Sequence, residues 1–180
     1  MPPSIGQSAS QRYVAFLRAI NVGTRRVSME TLRQAFEGPG VMDVETFLAS
    51  GNVVFRTGRA DGRSLERVIE RRLSANLGFP VDVFVRSASE LGAAAGATPF
   101  DTAAVEASAA YNVGFLRAPL TVVEQRALGG LATDIDRLAA IGREVYWLCA
   151  VRQSDSTFSN AVMEKALGLR ATFRSMSTLL

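Results

Sequence analysis

The chain has 180 residues, 48% of them apolar and 21% charged, the composition of a globular protein of one large domain or two small ones. It carries no histidine, one cysteine, and 20 basic against 17 acidic residues for a net charge of +3. These counts exclude a Ser-His-Asp or Cys-His nucleophile, a histidine-ligated or cysteine-rich metal site and an intrachain disulfide, and no cofactor is expected. All the cations but Lys165 are arginine. A guanidinium fork suits phosphate and carboxylate, although nucleotide composition alone produces the same excess.

Residues 1–12 are polar, with no basic stretch leading into an apolar one, and predict a disordered tail rather than a secretory signal. A strand is predicted over 13–20. A helix follows over 29–37, with Met29, Leu32, Ala35 and Phe36 on one face and Ser28 as N-cap. Strands over 44–48 and 53–56 are joined by Ala49-Ser50-Gly51-Asn52, a hairpin composition. A helix over 64–77 ends at Gly78, and a strand over 81–85 closes the unit. The order is βαββαβ, the ferredoxin-like pattern.

The second half repeats the first. Phe16-Leu17-Arg18-Ala19 returns as Phe115-Leu116-Arg117-Ala118, and Leu77-Gly78 returns as Leu167-Gly168. Strands are predicted over 111–117, 135–141, 144–151 and 171–175. Helices lie over 121–131, opened by a Thr121/Glu124 capping box, and over 158–167. The Ala/Gly-rich stretch 87–110 between the halves opens with Ser87 and Glu90, another capping box, and breaks at Thr98-Pro99-Phe100-Asp101. The expected fold is α+β: ferredoxin-like βαββαβ units over 13–86 and 111–180, with antiparallel sheets and a helical connector over 87–110. Alternate residues of the first strand are apolar on both faces, so both faces of the sheet should be covered. The longest strongly apolar run, 145–151, is far short of the roughly 20 residues of a membrane helix. A cytoplasmic protein without membrane contact is expected.

Several of these segments resemble a known family. Tyr13-Val14-Ala15-Phe16-Leu17-Arg18-Ala19-Ile20-Asn21-Val22-Gly23 and Ala49-Ser50-Gly51-Asn52-Val53-Val54-Phe55 are similar to the opening motifs of the domain of unknown function 1697 family. Ser159-Asn160-Ala161, Glu164-Lys165-Ala166-Leu167-Gly168 and Ala171-Thr172-Phe173-Arg174 resemble its C-terminal motifs. The family continues after that arginine with Asn-Trp-Asn-Thr, where this chain has Ser175-Met176-Ser177-Thr178. The resemblance implies a bacterial protein and adds no substrate.

In the expected topology one edge of the first sheet gathers Arg18, Asn21, Gly23, Ser50, Gly51 and Asn52, beside a loop that feeds a helix N-terminus. Arginine, asparagine, serine and exposed amides suit a phosphate or carboxylate. The same Ser-Gly-Asn and Asn-Val-Gly runs also serve as plain turn chemistry. Arg18 and its repeat mate Arg117 sit on otherwise apolar strands, where they form either ion pairs between halves or chains, or a ligand site. Asn160, Lys165 and Arg174 are secondary candidates, with Lys165 a Schiff-base nucleophile only if desolvated. Cys149 reads as a small buried hydrophobe, and Asp134 and Asp136 as solvated acids without a third metal ligand. RNA binding is disfavoured, because the third strand lacks the aromatic spacing of an RNA-recognition sheet and +3 is no strong basic footprint. The leading expectation is non-catalytic binding of an anionic small molecule. The alternatives are a homo-oligomeric assembly module and an enzyme working without histidine.

Overall fold

A computed structural model describes residues 10–21, 23, 26–47, 51–59 and 61–180. It divides into two units, 1–91 and 92–180. The first holds β1 (Gln11–Leu17), α1 (Met29–Phe36), β2 (Met42–Phe47), β3 (Asn52–Thr57), α2 (Gly62–Leu77) and β4 (Val83–Ser87). Helix α3 (Ala88–Gly96) runs across the division and α4 (Thr102–Glu106) follows it. The second unit continues with β5 (Ala110–Phe115), α5 (Val122–Gly129), β6 (Asp136–Ile141), β7 (Glu144–Cys149), α6 (Asn160–Leu167) and β8 (Thr172–Ser175). The sheets are antiparallel, ordered β2-β3-β1-β4 and β6-β7-β5-β8. The protein is thus α+β, with two four-stranded antiparallel sheets and six α-helices among the described residues.

Local chemistry sets the helix ends. Ser28 Oγ accepts the Thr31 N–H at 3.0 Å and caps α1. Thr121 and Glu124 complete a capping box on α5. Gly78, at φ 77°, ends α2 in the left-handed region where a side chain is penalised. Each helix pair covers one face of its sheet. Leu32 and Phe36 of α1 and Leu65, Ile69 and Leu73 of α2 pack with Ala15, Val53, Phe55 and Val85. Leu128 of α5 and Met163 of α6 pack with Val145, Trp147 and Cys149. Full burial of one such side chain is worth about 1.5–3 kcal/mol. The opposite faces are covered as well, since Phe16 and Phe84 of the first sheet and Val113, Phe115 and Tyr146 of the second are buried.

The outer edge of the first sheet is closed by side chains. In an antiparallel edge strand, alternate N–H groups point away from the sheet. On β4 those of Val83, Val85 and Ser87 donate to Glu70 Oε1 at 2.9 Å, Glu66 Oε1 at 2.9 Å and Glu90 Oε2 at 2.8 Å. At the start of β8 the Ala171 N–H donates to Glu164 Oε1 at 2.9 Å.

Several expected boundaries move. β1 ends at Leu17 rather than Ile20, because Ala19 turns the chain with φ 55°. It also begins at Gln11, so Gln11 and Arg12 are strand residues paired with Thr57 and Arg56, not tail. β4 starts at Val83 and runs through Ser87, taking in Arg86 beyond the expected end. The 87–110 stretch is two helices, with Asp101 capping the second through the Ala104 N–H at 2.8 Å. α6 starts at Asn160, since Ser159 is its N-cap. The remainder of the expected tail, 1–9, and Ser50, with Ala49 before it, lie outside the described residues.

Candidate functional site

At the end of β1 the chain turns away from the sheet and Arg18 meets the start of β4. Its N–H donates to Asp82 O at 2.9 Å, and its guanidinium Nη1 lies 3.8 Å from Asp82 Oδ2. Arg18 therefore has one ion pair within the first unit. Asn21 closes the following loop from within. Its Oδ1 accepts the Val27 N–H at 2.7 Å and its Nδ2 donates to Val27 O at 3.2 Å. Gly23 stands at φ 66°, and its carbonyl accepts Arg26 Nη1 at 2.7 Å. Gly51 is buried beside the same strand end, its carbonyl accepting the Leu17 N–H at 2.8 Å. Asn52 follows it, buried and register-paired with Phe16. Arg18, Gly51 and Asn52 thus meet at the end of β1. The Asn21 amide holds the loop's shape, while Arg18 and Arg26 supply its positive charge.

The secondary candidates are spread over the second unit. Arg117 leaves β5 as Arg18 leaves β1, and lines a pocket of about 340 Å³. Asn160 Nδ2 donates to Ala171 O at 3.1 Å while Glu164 takes the N–H of the same residue, so the pair on α6 holds the entry of β8. Asn160 Oδ1 is buried without a hydrogen-bond partner. Lys165 is exposed in the last turn of α6, without the desolvation a Schiff-base lysine needs. Arg174 is buried and donates through Nη1 to Thr172 Oγ1 and Phe173 O, both at 2.8 Å. Burial pushes its guanidinium down to about 10, which leaves it charged at neutral pH.

Three buried polar groups escaped the sequence. Asp136, expected to be solvated, is 0% exposed. It accepts from Trp147 Nε1 at 2.8 Å, Thr133 Oγ1 at 2.9 Å and Ser156 Oγ at 2.8 Å, which is why burial is tolerated. Burial works to raise its carboxyl, but hydrogen bonds from Trp147, Ser156, Thr133 and Cys149 prevail and hold it below the usual value. Asp134 is exposed as expected. Cys149 is buried, its thiol pushed up first by burial and then by Asp136. Arg86 is fully buried and donates to Val85 O at 2.9 Å. Glu66 is buried on α2. The Arg-Ser pairs at 86–87 and 174–175 were the available signal for Arg86. Among the described residues no three His, Cys, Asp or Glu side chains gather as metal ligands would, and no helix is long and apolar enough to cross a membrane.

Two four-stranded antiparallel sheets, each backed by helices, define an α+β protein without histidine. Over residues 10–146 the chain matches the family described as "Protein of unknown function (DUF1697)", and it belongs to that family. Among solved structures it is similar to the conserved bacterial protein SP0830 from Streptococcus pneumoniae. The two share 24% identity and a TM-score of 0.72 over 95% of this chain and 96% of that one, a likeness of fold. Comparison with curated proteins finds no match.

Proposed function

We propose that the chain is two ferredoxin-like units related by internal duplication, and that it is a cytoplasmic protein binding a small anionic molecule, without catalysis, at the loop edge of the first unit. The strand orders β2-β3-β1-β4 and β6-β7-β5-β8 support the first part. So do the registers, in which Val14 faces Arg86 as Val113 faces Arg174. The binding reading rests on one observation. Asn21 holds Val27 and Arg26 holds Gly23 ahead of α1, with Arg18 at the end of β1, so donors suited to an anion gather at this edge. Asp82 is then the internal competitor for Arg18.

Thermal denaturation with inorganic phosphate, nucleotides, sugar phosphates and carboxylates tests this. A rise in Tm with at least one class is expected, lost in Arg18→Ala and larger in Asp82→Ala, where the competing carboxylate is gone. No rise with any class, or an unchanged rise in Arg18→Ala, overturns it.

A second reading, self-association, is favoured by Met42 and Phe47, both exposed on β2. Light scattering on the purified chain decides it: a dimer that Phe47→Ser dissociates supports the reading, and a monomer removes it.

A further inference from the structure

β6 is an edge strand of the second sheet, paired on one side with β7. Along such a strand the N–H and C=O of alternate residues point away from the sheet. Just before β6, the carbonyl of Ile135 accepts the Ala150 N–H at 2.8 Å and so faces inward, which turns the groups of Asp136, Leu138 and Ala140 outward. Those of Asp136 are taken locally. Its N–H donates to Thr133 Oγ1 at 3.0 Å, and its carbonyl accepts the Thr133 N–H at 3.0 Å. Among the described residues nothing takes those of Leu138 and Ala140, whereas on β4 a glutamate holds each outward N–H.

Two antiparallel copies of β6 can satisfy these groups in one register. With Ala139 opposite Ala139 of a second copy, Leu138 lies opposite Ala140 of that copy and Ala140 opposite its Leu138. Both are hydrogen-bonded pairs, and every one of these N–H groups finds a carbonyl. An axis at Leu138 would set Ala140 against Asp136, whose groups Thr133 already holds. An axis at Ala140 would set Leu138 against Gly142, in the turn between β6 and β7.

The side chains suit the same register. Ala139 is small at the position where the two strands come closest. Arg137, ion-paired to Asp101 at 3.3 Å, falls opposite Ile141 of the second copy, not opposite its own twin. Ile141 is 46% exposed, and the arginine stem can lie on it. The equivalent pairing on β8 would be centred on Arg174 and would set two guanidiniums directly opposite, which is destabilising.

We infer that two copies of the chain associate through β6, antiparallel about Ala139, so that their second sheets join into one. This association needs neither the loop-edge site nor Met42 and Phe47 of β2.

Light scattering and residue-resolved amide hydrogen exchange on the full chain test it. A dimer is expected, with exchange at Leu138 and Ala140 slowing as protein concentration rises. Ala139→Lys alone and Ala139→Glu alone should each lose the dimer, because like charges then face each other across the axis, and an equimolar mixture should regain it. Phe47→Ser should leave the dimer intact. The exchange measurement uses the native chain and decides the matter even where a variant fails to fold. A monomeric native chain, exchange at Leu138 and Ala140 that ignores concentration, no recovery in a mixture of folded variants, or dissociation by Phe47→Ser overturns the inference.

Discussion

The indole N–H of Trp147 donates to Asp136 Oδ1 at 2.8 Å, joining β7 to the start of the edge strand β6. The other carboxylate oxygen accepts from Thr133 and Ser156, so one buried acid ties a turn, a strand and the segment leading to α6. Asp136→Ala leaves the Trp147 donor buried without its acceptor. A loss of about 2–4 kcal/mol in urea unfolding is expected, on the scale of one to three kcal/mol per orphaned buried group. Asp136→Asn, which keeps one accepting oxygen, should lose less.

The same contacts set an acid limit. Because the folded-state carboxyl of Asp136 is depressed, its contribution is fully present above the ordinary aspartate value of about 3.9. That contribution is lost as pH falls through the lower folded-state value. The urea midpoint, followed by the fluorescence of the sole tryptophan, should fall below about pH 4 more steeply in the native chain than in Asp136→Asn. Parallel curves would show that other carboxyls carry the acid sensitivity.

Glu66 offers a third measurement. Its carboxylate is buried and accepts the Val85 N–H at 2.9 Å, nineteen residues away. Glu66→Ala exposes that N–H to no partner and should cost about 1–3 kcal/mol in urea unfolding. Glu66→Gln still offers a carbonyl oxygen and should recover part of the loss. Equal losses in both variants would make packing, not the hydrogen bond, the cause.

Gly51 and Gly23 separate two kinds of strain. Both have left-handed φ, 81° and 66°. A Cβ on Gly51 would come within 2.6 Å of Ile20 Cγ2, whereas one on Gly23 meets nothing within 4 Å. Gly23→Ala should lose about 1 kcal/mol, from backbone strain alone. Gly51→Ala adds overpacking of about 1–3 kcal/mol, and thermal unfolding of the two variants should rank them in that order.

What the residues announced in advance was what they do to near neighbours. Ser28 reaches Thr31, Thr121 reaches Glu124, and Gly78 and Gly168 end their helices, all within one turn of chain. The loop-edge residues Arg18, Gly51 and Asn52 were also readable, because a hairpin brings a strand end and a turn together whatever the details. Asp136 was not, since the two acids at 134 and 136 look alike in sequence and differ only through Trp147 and Ser156, eleven and twenty residues on. Glu66 and Glu70 carry no local cue, since only the passage of β4 beneath α2 gives them backbone to hold.

The treatment of the two margins of the first sheet has a consequence for how copies of this chain can meet. One margin has its outward amides taken by Glu66, Glu70 and Glu90; the other, β2, is interrupted by a register shift with Asp43 at φ 51°. A margin whose outward amides are taken and one that is bent both discourage the annealing of a further strand. Contacts between copies of this unit would then fall to side chains rather than to a shared strand ladder.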